Sequence, residues 1–545
     1  GAIRLSKEKV LAKYLPAVET LGSATYICSD KTGTITTGKL TVFKYQAFNK
    51  DKLFLASALC NDSDGSKGDP LEIALLKWLE TEGIDWENMR KSYQRIWEEP
   101  FDPKKRYMAV IASSEEGFYE CFVKGALESL APKINKISNH SMEKIWKLHN
   151  EMAEEGLRVL AFCYARLENL PKEIGEIGLE LVGLIGFVDP PKEGVKEAVE
   201  SAKSAGIKVI MITGDNLLTA KAIAKIVSIY EEEDLAIEGK DLGKYSDEEL
   251  YEELKRIKVV ARATPEDKYR IVKVLQSKGE IVAVTGDGVN DAPALRIADL
   301  GVAMGSGSQA AKDASKMIIL DDNLSIIVNA IRRGRLIAKN IAKVIRYLLS
   351  TNAFEISYNS LAILSGLPLP LYATQILWIN LVTDGVQDKA YPFTKYEGNP
   401  MLEKPKKPSE VFLGKSQIFR IAYNGLLMGL AHYFLFSYLV QVYPYEIALT
   451  ISFCSAVVSQ WAVGFQEISE NPFLINPINY IKLNPYILLG ISIGAILQFC
   501  AVYLFSQYFH AVALPLNLIP YVIIAPLLTF FGIELRKLFQ IKFKR

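Results

Sequence analysis

The chain has 545 residues, 50% of them hydrophobic, and a mean hydropathy of +0.13 that is high for a purely soluble protein, so part of it is expected to sit in lipid. Its 63 Lys and Arg balance 62 Asp and Glu, which leaves no electrostatic footprint for nucleic acid or another strongly charged partner. Cys28, Cys60, Cys121, Cys163, Cys454 and Cys500 show no C-x-x-C spacing, which argues against a disulfide framework or a zinc site and suits a reducing cytosol.

Gly1 is not a native initiator and no signal peptide precedes the first strand, so a fragment or processed half is expected. Over roughly the first 340 residues, short β-like runs (YICSD, GLIGFVD, KVIMITGD, VVARAT, IVAVTGD, LGVAM, KMIIL) alternate with helical stretches, the signature of βαβ units and a parallel sheet. Between about 47 and 175 the turn-rich SDGSKGDP and the paired runs YMAVIASS and EGFYECFVKG break that pattern, which reads as a domain inserted into the first. After Arg346 the apolar runs lengthen to about 20 residues, enough to cross a bilayer as helices. Six are expected, near 343–366, 372–391, 416–440, 446–465, 485–507 and 518–536. The basic segments KYEGNPMLEKPKKPSE and RKLFQIKFKR follow the second and sixth, which places them, the soluble part and the C-terminus on the cytoplasmic side.

In ICSDKTGTITTGKLTV, a buried strand ends on Asp30, followed by Lys31 and Thr32. A carboxylate at the carboxyl end of a parallel strand stands where α/β folds place their ligands. An isolated aspartate there is commonly a cap, but Asp30 has company: Asp189 in DPPK, Asp215 in MITGDN, and Asp287 with Asn290 and Asp291 in VTGDGVND. If the strands are adjacent and parallel, Asp30 and Asp287 converge at one edge of the sheet and can hold a hard divalent ion through oxygen, Mg²⁺ being the natural candidate. Thr213 and Gly214 offer a hydroxyl and a backbone amide to an anion, and Lys268 in ATPEDKYR offers a point positive charge. Such a site supports phosphoryl transfer with Asp30 as in-line nucleophile, giving an aspartyl phosphate.

SDKTGT, KGA, DPPK, TGDN and TGDGVNDAPAL, in this order, resemble the P-type ion-transporting ATPases across essentially the whole chain. The resemblance implies a haloacid-dehalogenase-like (Rossmann-like) α/β phosphorylation domain at 1–46 and 176–330, an inserted α+β nucleotide-binding domain at 47–175, and an α-helical membrane bundle of six spans at 331–545. It implies catalytic roles for Asp30, Lys31, Thr32, Thr213, Gly214, Asp215, Lys268, Asp287, Asn290 and Asp291, with Mg²⁺ at Asp30, Thr32 and Asp287. In the insert, Phe101 in PFDPKKRYMAV matches the aromatic that stacks on adenine, Lys124 and Gly125 in FVKGALE line the same pocket, Arg158 lies near the phosphates, and Asp189 joins the nucleotide site. Pro103 stands where the family often has an arginine, a place that Lys104, Lys105 or Arg106 could fill.

Charged groups inside membrane spans are costly and mark ion paths. Asn352 and Glu355 share one helical face of the first span, and Asn380, Thr383 and Asp384 share one face of the second. Facing each other they form an oxygen cage that suits Ca²⁺ better than a soft metal, and no C-P-C thiolate motif is present. TNAFE followed by ILWINLVTDG is similar to the fifth and sixth membrane helices of the sarcoplasmic-reticulum-type calcium pumps. Aligning the SEN at 469–471 puts Gln460 where those pumps have a glutamate ligand, which weakens the case for two Ca²⁺ per cycle and leaves Na⁺, H⁺ or Mg²⁺ as alternatives. Lys389 either snorkels to the cytoplasmic interface or acts as an internal counter-charge. The family's actuator domain and first four membrane helices have no counterpart, so the expected partners are ATP, a cation, the bilayer and a missing N-terminal half. A membrane-tethered phosphatase of the same fold would carry a second aspartate two residues after the nucleophile. Thr32 stands there and cannot do that proton transfer, which favours a persistent phosphoenzyme.

Overall fold

The computed structural model describes residues 6, 8–114, 118–137, 140–170 and 177–544; Gly1 and the expected domain boundary at residue 176 lie outside them. Among the described residues an eight-stranded sheet runs in the order Val10–Ala12, Met317–Ile319, Leu300–Met304, Val282–Gly286, Tyr26–Asp30, Lys208–Ile212, Ile257–Ala261, Leu235–Glu238. All neighbours are parallel except the first pair. Strands such as YICSD and KVIMI are apolar on both faces because helices cover both sides of the sheet, the burial a parallel sheet demands.

A second, seven-stranded sheet holds the inserted unit, and its strands Thr41–Ala47 and Leu179–Val188 pair antiparallel. The sheet therefore takes in residues on either side of the 47–175 segment: the two connections between the units are themselves strands, bound to each other by backbone hydrogen bonds.

From the eight-stranded sheet the chain passes into one helix of 41 residues, Leu324–Leu364, roughly 60 Å long. Asn323 caps it, its side chain accepting from the Ser325 amide at 2.8 Å. The helix is fastened to the sheet unit where Gly22 meets Gly334; a Cβ on Gly22 would lie 2.8 Å from the Arg335 nitrogen, so the two backbones approach only as glycines. Arg335, 7% exposed, donates to the carbonyls of Gly22, Ala205, Pro400 and Glu403, and so binds the sheet unit and the loop after the second apolar segment to one point of the helix.

Among the described residues four helices are long and apolar enough to cross a membrane: Pro408–Val442, Tyr445–Gln466, Tyr486–Tyr503 and Leu516–Lys542. The other two expected spans differ. The 343–366 run is the far part of the long helix, where Asn352, Glu355 and Asn359 dilute the apolar character. The 372–391 run is not one helix: Ala373–Trp378 gives way to a π-helical turn, Ile379–Thr383, then to Asp384–Gln387 and a 3₁₀ turn, Asp388–Phe393. A π turn inserts a residue into the helical ladder and re-aims the side chains around it. At one end of the bundle Arg346 and Arg420 hold Glu467 and Glu470, with Arg346 Nε 2.8 Å from Glu467 Oε2 and Arg420 Nη1 2.7 Å from Glu470 Oε2.

Candidate functional site

The strand Tyr26–Asp30 lies between Val282–Gly286 and Lys208–Ile212, with Ile212 directly opposite Asp30. The carboxyl ends of three adjacent interior strands thus deliver Asp30, Thr213 and Asp287 to one place. The Asp30 amide donates to Thr285 Oγ1 at 3.0 Å, and its Oδ1 accepts the Lys31 amide at 2.7 Å. Lys268 comes from the next helix, Pro265–Ser277, whose start is set by Thr264 as cap, Asp267 in a reciprocal capping box, and Pro265 at the first position. Lys268 Nζ donates to Asp30 Oδ2 at 2.8 Å and to Asp291 Oδ1 at 2.7 Å. Asp291 in turn accepts the amides of Asp287 and Gly288, each at 3.1 Å. It fits there because residue 286 is glycine: a Cβ on Gly286 would lie 2.4 Å from the Asp291 Cβ.

Asp30, Asp287 and Asp291 offer carboxylate oxygens that all lie within 4.8 Å of one another. Hard oxygen donors at this separation suit Mg²⁺. Asp287 makes no ion pair among the described residues, and burial, then the charges of Asp30 and Asp291, raise its carboxyl above the usual range. Burial pulls Lys268 down, but Asp30 and Asp291 outweigh it and the ammonium is held above its ordinary value. The third carboxylate of the cluster is Asp291; the Thr32 side chain, expected beside the metal, is exposed, as is Asn290. Lys31 does not face Asp30. Its ammonium pairs with Asp215 and stands 3.8 Å from Asp189. Asp189 also accepts from Thr36 Oγ1 at 2.5 Å and the Gly38 amide at 2.8 Å, so it shapes the loop after Asp30.

A raised carboxyl is charged at neutral pH only at the expense of the fold, so the stability Asp287 contributes falls as pH rises through the carboxylate range toward its raised value. Without divalent cation, Asp287→Asn should therefore raise the neutral-pH unfolding midpoint of this domain by a few degrees. With millimolar Mg²⁺ the order should reverse, because only the wild type gains from binding; calorimetry with and without MgCl₂ reads both.

In the second sheet, consecutive neighbouring strands carry Phe101, Lys124 and Arg158 to one end. Asp102 pairs with Tyr107, Tyr107 with Gly125, and Gly125 with Ala161. Phe101 is 57% exposed at this end of the sheet, so its ring is open to a ligand. Lys124 Nζ is 2.6 Å from Glu72 Oε1, and both side chains are buried. A Cβ on Gly125 would lie 2.5 Å from the Tyr107 Cβ, so glycine is needed for the strands to close up. Of the substitutes for the arginine position, Lys105 pairs with Glu99 and Arg106 reaches Glu128 at 4.0 Å, whereas Lys104 makes no ion pair among the described residues.

In the helical part, Glu355 Oε2 accepts from Asn380 Nδ2 at 2.9 Å and Oε1 from Gln460 Nε2 at 3.4 Å. Asp384 Oδ1 accepts from the Tyr347 hydroxyl at 2.6 Å and Oδ2 from Thr351 Oγ1 at 3.1 Å. Glu355, Asp384 and Gln460 are buried, and among the described residues Gln460 Oε1 and Ser350 Oγ have no hydrogen-bond partner, so both are free to accept a ligand. Asn352 is exposed, outside this contact set, and the Thr383 side chain lies outside the described residues. Lys389 is exposed and donates to the Gly385 carbonyl, so it is not a counter-charge to Asp384.

Three family profiles match in succession: "P-type ATPase, cytoplasmic domain N" over residues 49–194, "haloacid dehalogenase-like hydrolase" over 268–331, and "Cation transporting ATPase, C-terminus" over 368–539. A calcium-transporting ATPase of Bacillus subtilis is 36% identical over 94% of this chain and 64% of its own length. The chain belongs to the P-type cation-transporting ATPases. Calcium-transporting ATPase 1 of Lactococcus lactis is 36% identical over 90% of this chain and 59% of its own length, and the cation-transporting ATPase pma1 of Synechocystis is 32% identical over 86% and 58%. The chain thus spans about three-fifths of the length of the curated relatives it matches. Within this P-type frame, sequence reasoning missed Glu72, Tyr347 and Thr351. Glu72 lies 52 positions from Lys124 and carries no local signal. Tyr347 and Thr351 were within reach, because positions one helical turn apart share the Glu355-bearing helix.

Proposed function

We propose that this chain forms the catalytic and ion-binding part of an ATP-driven cation pump that works through an aspartyl phosphate, with Ca²⁺ as the transported ion. One observation carries the reading. The helix that bears Glu355 starts at the phosphorylation loop: the Leu324 amide donates to the Thr34 carbonyl at 3.3 Å, and Lys192 Nζ bridges the Gly33 and Asp322 carbonyls. A chemical change at Asp30 and a binding change at Glu355 therefore act on one rigid element.

ATP binds with its adenine on Phe101 and its phosphates directed toward Asp30, Lys124 lining the pocket with its charge balanced by Glu72. Asp30 Oδ attacks the γ-phosphorus in line; the P–O bond to the bridging oxygen breaks and ADP leaves. Lys268 offsets the charge that develops, while the Thr213 hydroxyl and the Gly214 amide receive the equatorial oxygens. Asp30 and Asp287 are the residues that would hold Mg²⁺, which supplies further charge neutralisation of the phosphoryl group when bound. Thr32, unlike an aspartate, offers no proton transfer to hydrolyse the product. The transported ion sits among Glu355, Asn380, Gln460 and Asp384. Carboxylate and amide oxygens around Glu355 and Asp384 favour a divalent hard cation. The 343–366 and 372–391 segments complete a six-helix bundle whose polar faces are shielded by the four apolar helices, with the two sheet units and the C-terminus in the cytoplasm.

Phosphoenzyme formed from radiolabelled ATP should be hydroxylamine-sensitive and stimulated by micromolar Ca²⁺ in preference to Na⁺, Mg²⁺ or H⁺. Glu355→Gln and Asp384→Asn should each raise the Ca²⁺ requirement at least tenfold. Unchanged cation dependence in both variants would refute the ion site.

A further inference from the structure

The Tyr347 hydroxyl has one proton and two acceptors. It lies 2.6 Å from Asp384 Oδ1 and 3.0 Å from Gln387 Oε1. Gln387 is fully buried, and its orientation is not free: Nε2 donates to the Trp461 carbonyl at 3.2 Å, which leaves Oε1 as the atom turned to the tyrosine. The amide is seated against a glycine on the helix Tyr445–Gln466. A Cβ on Gly464 would lie 2.3 Å from Gln387 Nε2 and 2.6 Å from its Cδ, so any larger residue there displaces the amide. The Tyr391 hydroxyl donates to the Gly464 carbonyl at 2.9 Å and holds that backbone in place. Three elements, Asp384–Gln387, Asp388–Phe393 and Tyr445–Gln466, thus converge to present one carbonyl oxygen to Tyr347.

A cation taken up by Asp384 competes with Tyr347 for the Oδ1 lone pairs. A buried hydroxyl stripped of its acceptor opposes uptake, because it has lost its water as well as its partner. We propose that Gln387 is a positioning residue for cation uptake: it is the alternative acceptor to which the Tyr347 proton turns when a cation occupies Asp384. The hydroxyl rotates, one hydrogen bond replaces another, and no proton leaves the tyrosine. This deepens the reading of Asp384 as a ligand of the transported cation and rests on it.

The test is Gln387→Met, similar in length but without the acceptor, read as the Ca²⁺ concentration for half-maximal phosphoenzyme and by equilibrium binding of radioactive Ca²⁺ to the detergent-solubilised protein. The half-maximal concentration should rise about tenfold, equivalent to ~1.4 kcal/mol, with the maximal phosphoenzyme level within about twofold of wild type. In a Tyr347→Phe background, with no hydroxyl to rehouse, Gln387→Met should add nothing further. A tenfold shift in both backgrounds, or in neither, overturns the proposal. If Gln387→Met is not recovered folded, Gly464→Ala, which pushes the same amide aside, should show the same dependence on Tyr347, and an equal effect with and without the hydroxyl overturns it likewise. A wild type without cation-dependent phosphoenzyme or Ca²⁺ binding would instead refute the pump reading itself.

Discussion

Replacing Asp30 by Asn should abolish the phosphoenzyme, to below about 0.1% of wild type, since an amide oxygen cannot replace the carboxylate nucleophile and loss of a covalent nucleophile removes nearly all catalysis. The structure makes this a clean experiment. Oδ1 of the asparagine still accepts the Lys31 amide, and Lys268 keeps Asp291 at 2.7 Å. Folding should therefore change by no more than about 1 kcal/mol, and nucleotide binding, read by fluorescence of a trinitrophenyl-ATP analogue, should persist. Residual hydroxylamine-sensitive label above 1% of wild type, an order of magnitude over the ceiling just set, would mean that another side chain is phosphorylated.

Lys268→Met should be as damaging to the fold as to the chemistry. Lys268 is 8% exposed and stands between Asp30 and Asp291; removing it leaves three carboxylates within 4.8 Å of one another and no cation among them. Breaking a buried ion pair from one side costs about 3–5 kcal/mol. Because the ammonium's raised value lies above its unfolded one, its stabilisation is complete at neutral pH and is lost only in alkali, as pH rises through the raised value. The loss should thus be fully visible in calorimetry at pH 7, and millimolar Mg²⁺ should restore part of it by replacing the missing charge. Phosphorylation should fall about 10²–10³-fold, the typical effect of removing one electrostatic donor to a transition state. A variant with wild-type stability and near-normal phosphorylation would remove Lys268 from the mechanism.

Much of the candidate site around Asp30 was legible in one dimension because its parts are strand ends. In a parallel sheet the strands are apolar on both faces, so runs such as KVIMI and VAVTG announce themselves, and each polar residue that ends one must lie at the carboxyl edge. The alternation could not reveal that Thr41–Ala47 and Leu179–Val188 leave this layer and pair with each other, since a strand's periodicity is indifferent to its partner. The same limit hid the role of Lys31. The resemblance implied a catalytic role for it beside Asp30, whereas its ammonium is turned to Asp189 and Asp215.

In the helical part, hydropathy identified the four helices that meet the criteria of length and apolarity and also pointed to the two segments that do not. Those two carry Asn352, Glu355, Asn380 and Asp384, and these polar residues lower the hydropathy that would mark the segments as spans. The π turn at Ile379–Thr383 has no composition of its own; around it Asn380 donates to Glu355 and Asp384 accepts from Tyr347.

The amino-acid sequence alone determined the kinds of element, their order, and the chemistry standing at each strand end, because these follow from local periodicity and from which residues carry charge. Only the tertiary structure decided who meets whom: Glu72 with Lys124, Lys268 between Asp30 and Asp291, and Gln387 behind Tyr347. Each of these contacts joins residues from different elements, and its geometry is set by the packing of those elements, a quantity no local stretch of chain encodes.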